Sequence, residues 1–448
     1  LTDSVSLSAL PVPRPSACPG LLRIVPALDG GICRVKLAGG QLSSAQARAI
    51  AEAATAYASG VLELTNRSNL QIRGVRPEYE SALIQRLLAA GLGPSRMEAD
   101  DVRNLLLSPA AGLDPAALLD TQPLGTQLLR LLEDSPELHQ LSAKFALQLD
   151  GGEALAMRKH PHDLWLRVLS GQPAYLAFGL AGCPADAPLA AVPLEQALPL
   201  VEAILRLFLH LASPEQSRMR HLLATVPVSS FLAQLQARLA FPLHYDLPEM
   251  QPLAESSHSV PLGRWPQRQA DQHMLIAGAR LGRINAQQLR ALAELVERYG
   301  SARLRLTPWQ GLLVPDIPQP HSGLLMEALR ALGLLTDANE PLSQLIACTG
   351  SAACIKGLAD TKADALRLAE RLRFCAMRPQ VHLSGCERSC AAAHIADFTL
   401  LAQADGRYDL YQSAPDAAGF GRRLASSLCI EHAGEWFAAL PAAGVSHA

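Results

Sequence analysis

The chain lacks any excess of charge. Of its 448 residues, 39 are Lys or Arg and 41 are Asp or Glu, a net charge of −2. No global field therefore draws it to nucleic acid or to an anionic membrane surface, and an anionic ligand has to be held by local Arg and Lys side chains. It lacks an apolar stretch long enough to span a bilayer. The longest candidate, 198–212, contains Glu202, Arg206 and His210 and reads as an amphipathic helix. Residues 1–19 are rich in Ser and Pro but lack the basic start and apolar run of a signal peptide. No G-x-G-x-x-G follows a predicted strand, so a resident nicotinamide site is not expected. The nine cysteines, an odd number, form no paired framework. That fits a reducing cytoplasm and a metal site rather than disulfides.

What is present is a globular balance, 49% hydrophobic and 18% charged, in a chain too long for one ordinary domain. Four of the cysteines stand apart. Cys348 and Cys354 lie in ACTGSAACIKG, and Cys386 and Cys390 lie in HLSGCERSC. Four thiolates in the pattern C-x5-C then C-x3-C suit an iron–sulfur cluster. Cys386 and Cys390 are four apart and share one face of a helical turn. Gly and Ser around both pairs let backbone N–H groups approach the sulfurs. Cys18, Cys33, Cys183, Cys375 and Cys429 have no ligand-like spacing and read as packing residues.

The chain also repeats itself at an offset of 242 residues. Residues 39–72 lie against 281–314, so that Gln46, Arg48, Ala49, Ala51, Glu52 and Tyr57 match Gln288, Arg290, Ala291, Ala293, Glu294 and Tyr299. Ser43 and Asn285 are placed as N-caps of matching helices, each followed by a short strand and preceded by one, at 31–37 and 273–277. The likeness continues more weakly. Residues 108–121 face 348–361, which sets Ser108 against Cys348 and Asp114 against Cys354, and 144–152 face 380–388. Each half therefore reads as a β-α-β unit of ferredoxin-like kind followed by a larger α/β unit. The expected order is a flexible segment 1–20, a ferredoxin-like half 21–90 and an α/β unit 91–238. A Pro- and Ser-rich linker 239–268, a second ferredoxin-like half 269–335 and a cysteine-bearing α/β unit 336–448 follow.

The doubled plan together with C-x5-C…C-x3-C resembles the sirohaem-dependent sulfite and nitrite reductase family. LELTNRSNLQIRGV (62–75), RNLLLSPAAGLDP (103–115) and the cysteine segments carry the likeness. Within that family ACPG (17–20), LTPWQ (306–310) and DGRYDLY (405–411) resemble the precorrin-3B synthases. The resemblance implies an α+β, internally duplicated fold with a central cleft. It implies a 4Fe-4S cluster on Cys348, Cys354, Cys386 and Cys390, with Cys390 bridging toward a tetrapyrrole or a second iron. As a precorrin-3B synthase the chain would be a monooxygenase of cobalamin biosynthesis. It would use O2 to hydroxylate precorrin-3A at C20 with lactone formation. Electrons would come from NADH through a separate reductase. The alternative is a sulfite or nitrite reductase with bound sirohaem. By motif match Arg67, Arg103 and Lys144 would line the site and meet anionic groups. The family's second lysine is absent, its place taken by Ala146. Trp309 stands where the first copy has Arg67 and would stack on the macrocycle or pack in the core. Arg73 and Arg76 would meet carboxylates or guard a strand edge. A mononuclear iron near Cys390, with His382 or His394 as its nitrogen ligand, is a further expectation.

Overall fold

The computed structural model describes residues 18–171, 174–247, 260–373, 375, 378–392, 396–414 and 419–440. The expected flexible segment therefore lies almost wholly outside the described residues, as does His394.

Two antiparallel sheets come from the ferredoxin-like halves. The first holds β1 (Val25–Ala27), β2 (Gly30–Val35), β5 (Leu70–Val75), β4 (Val61–Leu64) and β13 (Arg283–Asn285), in that spatial order. The second holds β11 (Gly263–Pro266), β12 (Gln272–Gly278), β15 (Gly311–Pro318), β14 (Arg303–Leu306) and β3 (Gln41–Ser43). The outer strand of each sheet thus comes from the other half: β13 pairs with β4, and β3 pairs with β14. This exchange covers a strand edge that would otherwise stand open. It needs a close approach at Gly40, where φ is +68° and a Cβ would sit 2.2 Å from the Leu306 carbonyl oxygen. A glycine there is obligatory.

The helices that follow the exchanged strands, Ser44–Tyr57 and Ala286–Tyr299, start with the same device. Ser43 Oγ accepts the Gln46 N–H at 3.2 Å, and Gln46 Oε1 accepts the Ser43 N–H at 3.1 Å. Asn285 and Gln288 repeat the exchange at 2.8 Å each way. These capping boxes satisfy backbone donors that a helix start leaves unpaired. Each helix buries one face, Ala47, Ile50, Ala51 and Ala54 in one and Leu289, Leu292, Ala293 and Val296 in the other. The two helices pack on each other, and a single apolar core runs through both halves.

The larger units carry one sheet each. In the first copy it runs β6 (Leu105–Leu106), β7 (Leu147–Asp150), β8 (Leu164–Leu169), β9 (Tyr175–Leu180), β10 (Ala190–Pro193). In the second it runs β16 (Leu345–Ala347), β17 (Val381–Ser384), β18 (Phe398–Ala402), β19 (Tyr408–Gln412), β20 (Arg422–Leu428). Both begin with two parallel pairings and end with two antiparallel ones. The fold is α+β and internally duplicated. Each of these units has its own core, and the helix Ala197–Leu211 buries Leu200, Val201, Ile204 and Phe208 in the first.

The stretch expected as linker is not all linker. His244 pairs with Ala191 on the edge strand β10, and β11 at Gly263–Pro266 pairs along β12. Two edge-strand pairings, which need no amphipathic alternation, explain why a Pro-rich stretch hid them. Among the described residues no helix is long and apolar enough to cross a membrane.

Candidate functional site

Two loops bring the four cysteines together. Cys348 follows β16 directly, and Cys386 lies two residues beyond β17. Because these strands are parallel neighbours, both loops leave the same end of the sheet. The loops are hydrogen-bonded to each other: Leu358 N–H donates to the Gly385 carbonyl at 2.9 Å, and Gly385 N–H donates to Cys348 Sγ at 3.2 Å. Gly385 is needed here, since a Cβ would lie 3.3 Å from that sulfur. Cys348, Cys354 and Cys386 are half-buried and Cys390 is exposed. Enough protein surrounds Cys390 that burial, and then the neighbouring Cys386, Cys348 and Cys354, push its thiol up. Removal of protons by a cationic metal centre relieves that mutual repulsion.

This donor set fits a cluster better than a single ion. Among the described residues no three His, Cys, Asp or Glu side chains are close enough to share one metal ion. Four thiols that sense one another without converging on a point suit a cubane, whose sulfurs and irons fill the space between them. His382, on the interior strand β17, is 1% exposed.

The cluster loop is gripped from the other copy. Glu63, on β4 and buried, receives Arg283 at 2.7 Å, Arg73 at 3.4 Å and the Thr349 hydroxyl at 3.2 Å, with Lys362 at 3.8 Å. Burial alone would push this carboxyl up, but Lys362, Arg73 and Arg283 outweigh it and hold it low. Arg73 is also paired with both oxygens of Asp29 at 2.8 Å and reaches the Ala353 carbonyl at 3.5 Å. It is neither a carboxylate receptor nor a strand-edge guard but a buried clamp on the loop between Cys348 and Cys354. Arg76 is exposed and lies over the Tyr79 ring. Sequence reasoning missed Glu63, Thr349 and Lys362. One signal was available: a charged residue stands inside an apolar strand at the same repeat position in both copies, Glu63 and Arg305. Arg305 does the mirror task, donating to the Pro109 and Ala111 carbonyls at 2.8 and 2.7 Å.

The basic residues expected in the site divide. Arg67 sits in the turn between β4 and β5, closed by Thr65 N–H to the Asn69 carbonyl at 2.9 Å. Its guanidinium has no hydrogen-bond partner among the described residues. Burial lowers it to about 10, helped by the like charges of Arg218 and Arg34. Arg34, on β2, donates to the Gln71 amide oxygen at 2.7 Å. Its own charge is opposed by burial and supported by Cys18 and Cys390, which places the exposed cluster cysteine within electrostatic reach. Arg103 is elsewhere engaged: its Nε lies 2.6 Å from Glu133, both side chains 10% exposed. Lys144 is exposed, and its backbone N–H donates to Ser142 Oγ at 3.2 Å. Trp309 is half-buried. It packs on an apolar group that includes Leu113, Leu155 and Leu313, and it borders a pocket shared with Leu262, Leu335 and Ala391. Of the remaining cysteines, Cys33 is pushed up by burial, Cys183 is pushed up by burial to about 11, and Cys429 caps the helix Ile430–Ala438.

Comparisons with known proteins agree with this architecture. The Nitrite/Sulfite reductase ferredoxin-like half domain matches twice, at 26–90 and 265–332. The Nitrite and sulphite reductase 4Fe-4S domain matches 98–243, the copy without the four cysteines. The chain is 30% identical over 399 residues to the ferredoxin–nitrite reductase of Synechococcus elongatus, covering 83% of this chain and 76% of that protein. It is 27% identical to the chloroplastic ferredoxin–nitrite reductase of Arabidopsis thaliana, over 81% of this chain and 66% of that one. It is 27% identical to sulfite reductase [ferredoxin] 2 of Mycolicibacterium paratuberculosis, over 87% and 75%. The NirA protein of Mycobacterium tuberculosis shares the fold with a TM-score of 0.77 at 24% identity, over 91% of this chain and 79% of that one. The chain belongs to the nitrite and sulfite reductase family and is an oxidoreductase with a 4Fe-4S cluster.

The narrower resemblance does not hold. These relatives are ferredoxin–nitrite and sulfite reductases, and none of them is a precorrin-3B synthase or a monooxygenase. The structure shows why its short motifs misled. LTPWQ is the tight turn after β14, closed by Thr307 N–H to the Gly311 carbonyl at 2.9 Å. DGRYDLY is the β18–β19 hairpin, with Gly406 at φ +74° and Gln403 N–H on the Arg407 carbonyl at 2.7 Å. Both are turn chemistry, which carries no information about a substrate.

Proposed function

We propose that the chain reduces a small oxyanion, nitrite or sulfite, with electrons delivered by a separate protein donor of ferredoxin type. The observation that carries this reading is the juxtaposition of Cys390, from the second copy, with the cationic group of Arg34 and Arg67, both from the first. A bound sirohaem would supply the iron on which the oxyanion is reduced, fed through the cluster. Cys390 would be the thiolate that links cluster and sirohaem. Arg34 and Arg67 would meet the carboxylates and the substrate charge, since guanidinium groups form strong charge-assisted bonds to both. Their partly desolvated setting strengthens that attraction. The donor would approach the cluster loop, where Ile355 is 83% exposed and Lys356 stands beside it.

The test is anaerobic purification followed by reduction with dithionite and methyl viologen. The reading expects cluster and tetrapyrrole absorption together, and reductant consumption that depends on nitrite or sulfite. A protein that carries no tetrapyrrole and consumes reductant with neither anion would overturn it.

A further inference from the structure

Cys348 is held on both sides by one ion group. On one side Lys362 Nζ donates to the carbonyl of Ala347 at 3.2 Å and to that of Leu281 at 2.5 Å. On the other the Thr349 hydroxyl donates to Glu63 at 3.2 Å. Lys362 and Glu63 lie 3.8 Å apart, so the two grips are one. Thr361, the residue before Lys362, is fully buried. Its hydroxyl donates to the Cys348 carbonyl at 2.8 Å and lies 3.5 Å from Cys348 Sγ. The chain geometry on both sides therefore holds the Lys362 ammonium close behind the first cluster ligand.

This group is not neutral. Glu63 pairs with Arg283, Arg73 and Lys362, and Asp29 pairs with Arg73. Three cations meet two carboxylates, which leaves an excess of one positive charge. The Lys362 side chain is 13% exposed and that of Glu63 is 11% exposed. Burial lowers Lys362, while Glu63 and Cys348 support its charge. Its hydrogen-bond partners are carbonyl oxygens and its ionic partner is a carboxylate, all of which favour an ammonium. A largely desolvated excess cation is costly unless an anion lies nearby. The frame itself does not require the charge. At the repeat position of Lys362 the first copy, which has no thiolates in this place, has the uncharged Gln122, whose Nε2 donates to the Ala111 carbonyl at 2.8 Å.

We propose that Lys362 is a built-in countercharge of the cluster and raises the potential at which the cluster accepts an electron. Four thiolates and the inorganic sulfides outweigh the charge of the iron, so the centre is anionic. It gains one further negative charge with each electron, with no bond made or broken in the protein. Net charge and hydrogen bonds to the sulfurs set the potential of such centres. A fixed cation behind Cys348 favours the reduced form, and the Gly385 N–H, 3.2 Å from Cys348 Sγ, acts in the same sense. Lys362 coordinates no iron and works through its charge alone. The proposal rests on the cluster and not on the choice of substrate.

The experiment uses the full chain purified anaerobically with its cofactors. The reduced fraction of the cluster is followed by visible absorbance and low-temperature magnetic resonance as dithionite lowers the solution potential in the presence of mediators. Iron per chain and thermal unfolding are measured alongside, in wild type, K362M, K362R and E63Q. K362M is expected to be harder to reduce. At a fixed solution potential its ratio of reduced to oxidised cluster falls about tenfold, a shift of about 59 mV for one electron. K362R keeps the charge and stays near wild type. A purely structural role would lower iron content or stability and leave the potential of the remaining clusters in place. An unchanged or raised potential in K362M, or a K362R potential as low as that of K362M, overturns the proposal. Should K362M hold no iron, E63Q decides. It removes a negative charge while keeping an oxygen for Thr349, so its potential has to rise, and an unchanged or lower value overturns the proposal. A wild type that reduces neither nitrite nor sulfite would sink the reductase reading alone, because the titration does not depend on turnover.

Discussion

The loop after β16 and the loop after β6 occupy the same place in two copies of one scaffold, yet only the first is built to hold iron. Both are gripped from the opposite half by a charged residue at the same position of an exchanged-sheet strand, Glu63 on one side and Arg305 on the other. In the second copy the space is lined by four thiols and backbone N–H groups. In the first it is filled by the protein. Ser108 donates to the Leu155 carbonyl at 2.8 Å, Asp114 accepts the Leu155 and Ala116 N–H groups, and Arg158 pairs with Asp150 at 2.9 Å. The comparison teaches that duplication supplied the frame twice, while the chemistry was kept in one copy. The other copy was freed to present cations.

The largest effect should come from Cys386→Ser. It removes one ligand and is expected to abolish the cluster absorption, read in the visible spectrum, while Ser108→Ala in the other copy leaves it intact. Glu63→Ala comes next. It removes the carboxylate that Arg283, Lys362 and Thr349 share, leaving Arg73 to Asp29 alone, and should cost about 3 kcal/mol, measured by denaturant unfolding. Iron per chain should fall with it, because Thr349, next to Cys348, loses its anchor. Arg305→Ala should destabilise by about 1–3 kcal/mol without loss of iron, since it leaves carbonyls unpaired in the copy that holds none.

Glu153 gives a third contrast. Burial, then Asp150, push its carboxyl up to about 8, and its Oε1 has no partner. A raised folded value means that the folded chain keeps a proton which the unfolded chain loses near 4.5. Stability from this group is full below that pH and is lost as pH rises through 8. Glu153→Gln should therefore stabilise the protein at pH 9, by on the order of 3 kcal/mol, and hardly change it at pH 4. His162 acts in the opposite sense. Its folded value is depressed to about 3 from 6.5, so its contribution is present above 6.5 and declines on acidification. In the Glu153→Gln background, stability should fall by about 1.4 kcal/mol per pH unit below 6.5, read from urea midpoints. The smallest effect belongs to the feature the copies share. Ser43→Ala and Asn285→Ala should each cost about 1 kcal/mol in unfolding experiments, and nearly equally.

Much of this frame is written in the sequence. The capped helices and their flanking strands are legible because they follow from local pattern, repeated at a fixed offset. The cysteine pairs are legible because soft ligands at such spacing have few other uses. The exchange of β3 and β13 is not, since three-residue strands carry no alternation and their partners lie in the other half. The Glu63 clamp joins residues far apart in the chain, and only the paired charges at the Glu63 and Arg305 positions hinted at it. Arg103 looked free for a ligand because nothing local reveals that Glu133 folds back onto it. Short motifs misdirected the choice of reaction because two of them encode turns.

The central claim is that the cluster of the second copy, through Cys390, meets a tetrapyrrole held by the arginines of the first. Low-temperature magnetic resonance and Mössbauer spectra of the anaerobically purified chain, before and after dithionite, test it most directly. A thiolate shared by both centres predicts spins coupled between cluster iron and tetrapyrrole iron, lost in Cys390→Ala. An isolated cluster signal, with no tetrapyrrole iron or with one that is magnetically independent, would contradict the account.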